Sequence, residues 1–79
     1  MITVHRAEGL RVVVFVNDHE PAHVHVFGDG EAKINLADAA GDPELIFAIG
    51  MSRAEVRRAM RVVKEQQAYL LQRWSEIHG

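Results

Sequence analysis

The chain has no cysteine among its 79 residues. Disulfide bridges, thiolate catalysis and cysteine-rich zinc sites are therefore excluded. No apolar run approaches the roughly 20 residues that a membrane-spanning helix needs. The first six residues, Met1 to Arg6, also lack the long apolar stretch of a signal peptide. We therefore expect a cytoplasmic protein that makes no contact with a membrane.

An excess of charge of one sign is lacking as well. The formal net charge is −2 and the sequence pI is near 6.2, which argues against a nucleic-acid or membrane binder driven by overall charge. The apolar content of 48% is enough for a core, and we expect one domain over residues 1–79. A domain this small, without disulfides, often gains stability by association. A homodimer or a small protein partner is therefore compatible with the sequence.

The first half of the chain, residues 1–49, has the patterns of β-strands. Leu10 to Val16 is a continuous β-branched and aromatic run, which is typical of a strand buried on both faces. Residues 23–27 alternate polar and apolar side chains. This alternation places His23 and His25 on the same face of their strand.

Two further segments complete the predicted sheet. Gly28-Asp29-Gly30 predicts a tight hairpin turn, because glycine tolerates the dihedral angles that such turns require. Residues 31–36 then resume the alternation, and residues 45–49 predict one more short strand. We expect a small antiparallel sheet of three to five strands.

The last part of the chain predicts one long helix over residues 52–78. Ser52 and Glu55 have the spacing of a capping box. Apolar residues follow at intervals of three and four, and Gln67 interrupts this apolar stripe. The combined pattern predicts an α+β fold, in which a small antiparallel sheet packs against the C-terminal helix.

A dense polar segment follows the first long strand. Residues 17–25 read Asn-Asp-His-Glu-Pro-Ala-His-Val-His and hold three of the five histidines. His23 and His25 point to one side, roughly 6.6–6.8 Å apart along the strand. His19 could fold back across the proline as a third nitrogen ligand, and Asp18 or the adjacent glutamate could complete a tetrahedral set. One interpretation is a divalent transition metal bound by His19, His23 and His25, with zinc, iron, manganese and nickel all suited to these ligands.

The same segment supports chemistry without a metal. Two histidines can act as general base and general acid near neutral pH, as in RNA cleavage by transfer to the 2′-hydroxyl group. In this interpretation His19, His23, His25 and Asp18 are catalytic, and Arg11 stabilises the charge on the phosphate. A third interpretation is a solvated polar surface, or an interface that titrates with pH.

The predicted helix carries a row of positive charges. Arg53, Arg57, Arg61 and Lys64 are four, four and three residues apart, and Arg58 widens the row. Most such rows are solvated helix faces with some ion pairing. The functional interpretation is a contact surface for RNA phosphates or an acidic partner, with Arg57 and Arg61 as phosphate-binding candidates.

Residues 11–26, from Arg11 through the histidine segment, resemble the hallmark of a family of small bacterial proteins classified as a domain of unknown function. Its members share an Asn-Asp-His-x-Pro-x-His-x-His segment, a β-rich middle and a helix with a late tryptophan. The match runs from about Leu10 to Trp74. Many relatives carry a histidine in the middle of the helix, where this chain has Gln66 and Gln67.

The resemblance implies a bacterial cytoplasmic protein, often encoded beside a second small protein in a toxin–antitoxin-like pair. Because the partner in such pairs is similar to DNA-binding antitoxins, this chain would have the toxin-like role. Our leading hypothesis is a toxin-like component of a type II pair that acts on RNA. The alternatives are a non-catalytic metal-binding module and a structural adaptor or antitoxin-like protein.

Overall fold

The structure is a computed structural model that describes residues 1–38 and 40–79. Five strands precede two helices in the chain. The elements are β1 (Ile2–Ala7), β2 (Leu10–Val14), β3 (His23–Phe27), β4 (Glu31–Asn35), β5 (Glu44–Ile49), α1 (Arg53–Glu65) and α2 (Gln67–His78). The strands form one antiparallel sheet in the order β1-β2-β3-β4-β5. This confirms the predicted α+β class. Neither helix has the length and apolar character needed to cross a membrane.

Tight turns set the register of the meander. Glu8 and Gly9, between β1 and β2, have φ angles of 53° and 77°, as in the mirror-image turns that suit the twist of hairpins. The predicted turn at Gly28-Asp29-Gly30 joins β3 to β4. A side chain at Gly30 would collide with the backbone of β5, since a Cβ atom there would lie 2.1 Å from the carbonyl oxygen of Ile49.

One face of the sheet forms the core with the two helices. The apolar residues that share this core are Val4, Leu10, Val12, Val14, Val24, Val26, Ala32, Ile34, Leu36, Ala59, Val62, Val63, Leu70 and Trp74. Each fully buried Val or Ile contributes roughly 1.5–3 kcal/mol relative to an exposed position. Trp74 is buried in this core.

Residues that alternate with these core positions lie on the opposite face of the sheet, where Val13 and His23 are also buried. The strand register aligns Val13 with His25 and His25 with Lys33. It also aligns Arg11 with Phe27 and Phe27 with Glu31. We call this the open face, and its members on β2, β3 and β4 are Arg11, Val13, His23, His25, Phe27, Glu31, Lys33 and Asn35.

The predicted capping box at the start of α1 is only half formed. The backbone N–H of Glu55 donates to Ser52 Oγ at 3.1 Å, as expected. The Glu55 carboxylate is buried and instead accepts a hydrogen bond from the backbone N–H of Asp29 at 3.0 Å. Glu55 therefore ties the helix start to the β3–β4 turn.

The prediction of one continuous helix over residues 52–78 is corrected by a break at Gln66, whose φ and ψ are −106° and 14°. The next residue, Gln67, is buried on the apolar side of α2. Its side-chain amide donates to the carbonyl oxygens of Leu36, Asp38 and Gly41, at 2.6, 2.9 and 3.0 Å. The helix thus breaks beside a side chain that is anchored to the loop between β4 and β5.

The last strand, β5, forms an exposed edge of the sheet. All six of its residues are exposed. Its large apolar side chains are Leu45, Ile46, Phe47 and Ile49. An exposed apolar edge strand is a template for pairing with another chain.

Candidate metal centre

Three potential metal ligands meet at one end of the open face. One ligand atom from each of Asp18, His23 and His25 lies within 4.8 Å of the other two. Asp18 sits in the turn after β2, where its backbone N–H donates to the carbonyl of Phe15 at 3.1 Å. The two histidines lie on β3, two residues apart, so that the strand itself directs both rings to the same side.

The imidazole of His23 is buried and has an acceptor at each ring nitrogen. Nδ1 lies 2.9 Å from the carbonyl oxygen of Pro21, and Nε2 lies 2.9 Å from Asp18 Oδ2. The ring also packs against Trp74, with 5.1 Å between centroids. A neutral imidazole has a single N–H. One nitrogen of His23 is therefore left facing an oxygen unless it carries a second proton or a metal ion intervenes.

His25 repeats this arrangement with a carboxylate in place of the carbonyl group. Its Nδ1 lies 3.0 Å from Glu31 Oε2, and its Nε2 lies 3.5 Å from Asp18 Oδ2. Phe15 packs edge-on against the ring, with 4.6 Å between centroids. A histidine whose outer nitrogen donates to a carboxylate or carbonyl oxygen is the usual arrangement of metal-ligating histidines.

The two separations from Asp18 Oδ2 to the histidine nitrogens are compatible with a bound cation. Metal–ligand bonds of about 2.0–2.2 Å place neighbouring ligands about 3.3 Å apart in tetrahedral geometry and about 3.0 Å apart in octahedral geometry. The distances of 2.9 and 3.5 Å from Asp18 Oδ2 to the two Nε2 atoms bracket these values. A set of two imidazoles and one carboxylate suits zinc, iron, manganese or nickel.

The cluster opens into a surface pocket of about 540 Å³. Lys33 and Asn35 from β4 line it, together with Ile46 and Phe47 from β5. His19 also lines the pocket, but its side chain is exposed and lies outside the group formed by Asp18, His23 and His25. The structure therefore brings together three of the four predicted catalytic residues and puts the fourth at the pocket wall.

Helix α2 supports the segment that carries the ligands. Trp74 Nε1 donates to Glu20 Oε1 at 3.2 Å. The ring of His78 stacks on Trp74, with 3.7 Å between centroids, and its Nε2 lies 3.2 Å from the carbonyl oxygen of Phe15. The end of α2 therefore contacts both sides of the loop between β2 and β3.

The three predicted phosphate-binding arginines lie in different places. Arg11 is on the open face, where its guanidinium lies 5.5 Å from the centre of the Phe27 ring. Arg57 is exposed on α1, and Arg61 forms an ion pair with Glu8. None of the three is among the described residues that line the pocket beside the histidines.

Part of the basic row on α1 is used in ion pairs. Lys64 Nζ lies 2.7 Å from Asp42 Oδ1. This hydrogen bond, and with it the charge of Lys64, lowers the pKa of Asp42 below its ordinary value. The row therefore has a structural role in holding the loop before β5 against the helix.

Two residues of the site were not recognised from the sequence. Glu31 holds His25, and Lys33 lines the pocket. The signal was present in the hairpin turn, because the tight connection after Phe27 aligns Lys33 with His25 across the strands. Side chains that alternation assigns to the outward face of β4 are thus the neighbours of the histidines.

A comparison with known families assigns the chain to one of them. A model described as "Domain of unknown function (DUF4160)" matches residues 9–75. Searches of curated proteins and of solved structures return no match. The matched region includes the ligand segment, the open face and most of the helical layer. The chain therefore belongs to the DUF4160 family of domains of unknown function.

Proposed function

We propose that the protein is a metal-dependent phosphodiesterase that acts on RNA. The observation that carries this proposal is the convergence of Asp18 Oδ2 with the Nε2 atoms of His23 and His25, while both Nδ1 atoms are engaged by other oxygens. Three protein ligands and an open side facing a pocket are the pattern of catalytic rather than structural metal sites.

A metal site accounts for the hydrogen-bond pattern better than a metal-free cluster does. Without a metal, a neutral His23 ring has a single proton for the two oxygens that lie 2.9 Å from its nitrogens. With a divalent ion at the two Nε2 atoms, each ring keeps the single proton on Nδ1. His23 then donates to Pro21 and His25 donates to Glu31.

The pocket supplies the groups that a phosphodiester needs. A divalent ion at the cluster would act as a Lewis acid and would allow water to act as a nucleophile at neutral pH. Lys33, at the pocket wall, is placed to hold a phosphate oxygen. His19 is exposed at the same wall, and we assign it the transfer of a proton to the leaving oxygen.

The metal requirement is tested by elemental analysis of protein purified without a histidine tag. We expect about one equivalent of a transition metal per chain in the parent protein, and strong loss in the Asp18→Asn and His25→Ala variants. His5→Ala is the matched control, because His5 lies on β1 and packs against Tyr69. Parent protein with only trace metal after reconstitution would contradict the proposal.

The activity is tested on single-stranded RNA in the presence of zinc, manganese or nickel. Cleavage should stop when a chelator removes the metal and return when metal is added back, should be abolished by Asp18→Asn, and should persist in His5→Ala. His19→Ala should lower the rate without changing metal content, because the proposal gives His19 a role in proton transfer only. If the Asp18→Asn variant cleaves RNA at the parent rate, the site has been assigned wrongly.

In the cell, we propose a toxin-like role beside a small antitoxin-like partner, as the family resemblance implies. The observation that favours a partner is β5, with its apolar side chains exposed next to the pocket. Ile46 and Phe47 belong both to this edge and to the pocket wall. A strand added to β5 would therefore cover the entrance to the metal centre.

Expression in bacteria tests this role. The parent chain should inhibit growth, and the His23→Ala, His25→Ala double variant should not. Where a small antitoxin-like protein is encoded beside this chain, its co-expression should restore growth for the parent, but not for an Ile46→Lys variant that places a charge on the edge strand. Equal rescue of both chains would place the partner elsewhere, and a doubled mass of the chain alone would indicate self-pairing instead.

A further inference from the structure

We infer that the open face binds single-stranded RNA along a path from Arg6 and Arg11, over Phe27, to the metal centre. This inference rests on the proposed function for its destination, but the binding surface has its own observations. It adds the residues that hold the strand outside the pocket and the class of RNA that fits them.

The path begins at two arginines, Arg6 and Arg11, that lie side by side in the sheet. Arg6 of β1 lies directly opposite Arg11 of β2 in the sheet register. Like charges directly opposite each other destabilise a strand pair. Within residues 1–38 and 40–79, neither guanidinium belongs to an ion pair. A recess of about 400 Å³ at the β1–β2 turn is lined by both arginines and by Glu8, whose carboxylate is paired with Arg61. A phosphate group there would neutralise the pair.

Aromatic rings connect this recess to the metal centre. The guanidinium of Arg11 lies 5.5 Å from the Phe27 ring centre, and Phe27 is followed by Phe15 at 6.5 Å between centroids. Phe15 in turn contacts the His25 ring. Rings on an open sheet face are the platform on which RNA-binding sheets stack unpaired bases. The cations and rings therefore form a continuous row from the recess to the metal centre.

The geometry favours an unpaired strand of RNA. Bases in a duplex are stacked on each other, so their faces are closed to Phe27 and Phe15, whereas a single strand can present them. Asn35 lies opposite His23 in the register and lines the pocket. Its side-chain carbonyl can accept a hydrogen bond from a 2′-hydroxyl group, which DNA lacks.

Fluorescence anisotropy with a short labelled single-stranded RNA tests the inference, with a chelator present so that binding is measured without cleavage. The Arg6→Gln, Arg11→Gln double variant should bind about 25-fold more weakly at 0.1 M salt. Each phosphate contact on a single strand contributes about 0.7 to the exponent with which affinity falls as the salt concentration rises, so the two lost contacts contribute about 1.4. Phe27→Leu should weaken binding roughly tenfold through lost stacking. Arg6→Gln alone, at an exposed residue, provides a measurement if the double variant unfolds.

The matched control removes two positive charges from the helical layer. Arg53 and Arg57 are exposed on α1, away from the open face, and the Arg53→Gln, Arg57→Gln variant should bind RNA as tightly as the parent. If this variant alone weakens binding, RNA contacts the helix and the inference is overturned. Equal affinity for single-stranded DNA of the same sequence would overturn the inference as well. Competition by polyglutamate as strong as that by unlabelled RNA would also overturn it.

The two proposals fail in different ways. Metal binding and RNA cleavage with no loss of affinity in the Arg6→Gln, Arg11→Gln variant would remove the path and leave the phosphodiesterase. Arginine-dependent RNA binding by a protein that takes up no metal would remove the phosphodiesterase and support the path.

Discussion

Replacing Glu31 by glutamine probes the metal centre without touching a proposed ligand. Glu31 Oε2 accepts from His25 Nδ1 at 3.0 Å, and the His25 Nε2 atom faces Asp18. Glutamine keeps the size of the side chain and an oxygen acceptor, but removes the negative charge that makes the imidazole a stronger ligand. The effect should therefore appear in metal affinity rather than in folding.

The expected loss follows from the exposure of this carboxylate. Removing such an outer partner typically costs 10- to 100-fold in metal affinity. The side chain of Glu31 is 36% exposed, so water partly screens its charge and the lower end applies. We expect a loss of about tenfold in zinc affinity, which corresponds to about 1.4 kcal/mol.

Competition with a chromogenic chelator measures this difference directly. Glu44→Gln is the control, because Glu44 is an exposed carboxylate on the neighbouring strand and its loss changes the net charge equally. The control should bind zinc as the parent does. An unchanged affinity in Glu31→Gln, or an equal loss in the Glu44→Gln control, would mean that Glu31 does not orient a metal-bound histidine.

Three predictions concern stability and are checked by chemical denaturation. Gln67→Leu should lower the free energy of unfolding by about 1–3 kcal/mol, because the buried carbonyl oxygen of Leu36 loses this donor. Ile34→Ala should cost about 2–5 kcal/mol, because Ile34 is fully buried between the sheet and the helices. Asp42→Asn should destabilise the protein near neutral pH, and the difference should vanish as the pH falls through the lowered pKa of Asp42, where the parent carboxyl group is also neutral. A difference that persists in acid would contradict the role of Lys64.

The sheet could be predicted because its signals are local. Alternation over residues 23–27 and the glycine turn at residues 28–30 determine both the strand faces and their register. The convergence of His23 and His25 follows from that alternation alone. The helix start was recognised for the same reason, since the Ser52 cap depends only on its own first turn.

The rest depends on contacts between distant parts of the chain. Gln67 looked like an interruption of an apolar stripe, yet its side-chain amide donates hydrogen bonds to carbonyl groups about thirty positions earlier in the chain. The Glu55 carboxylate likewise does not complete the predicted capping box, because it accepts a hydrogen bond from the β3–β4 turn. His19 is adjacent to Asp18 in the sequence, but only Asp18 joins the cluster, because the loop directs the two side chains differently.

Trp74 gives the molecule an optical reporter. It is the only tryptophan of the chain, and its indole contacts the rings of both His23 and His78. Emission from a single indole is free of overlapping signals from other tryptophans. A titration of the unlabelled protein with zinc can therefore be followed by the intrinsic fluorescence of Trp74, which contacts the proposed ligand His23.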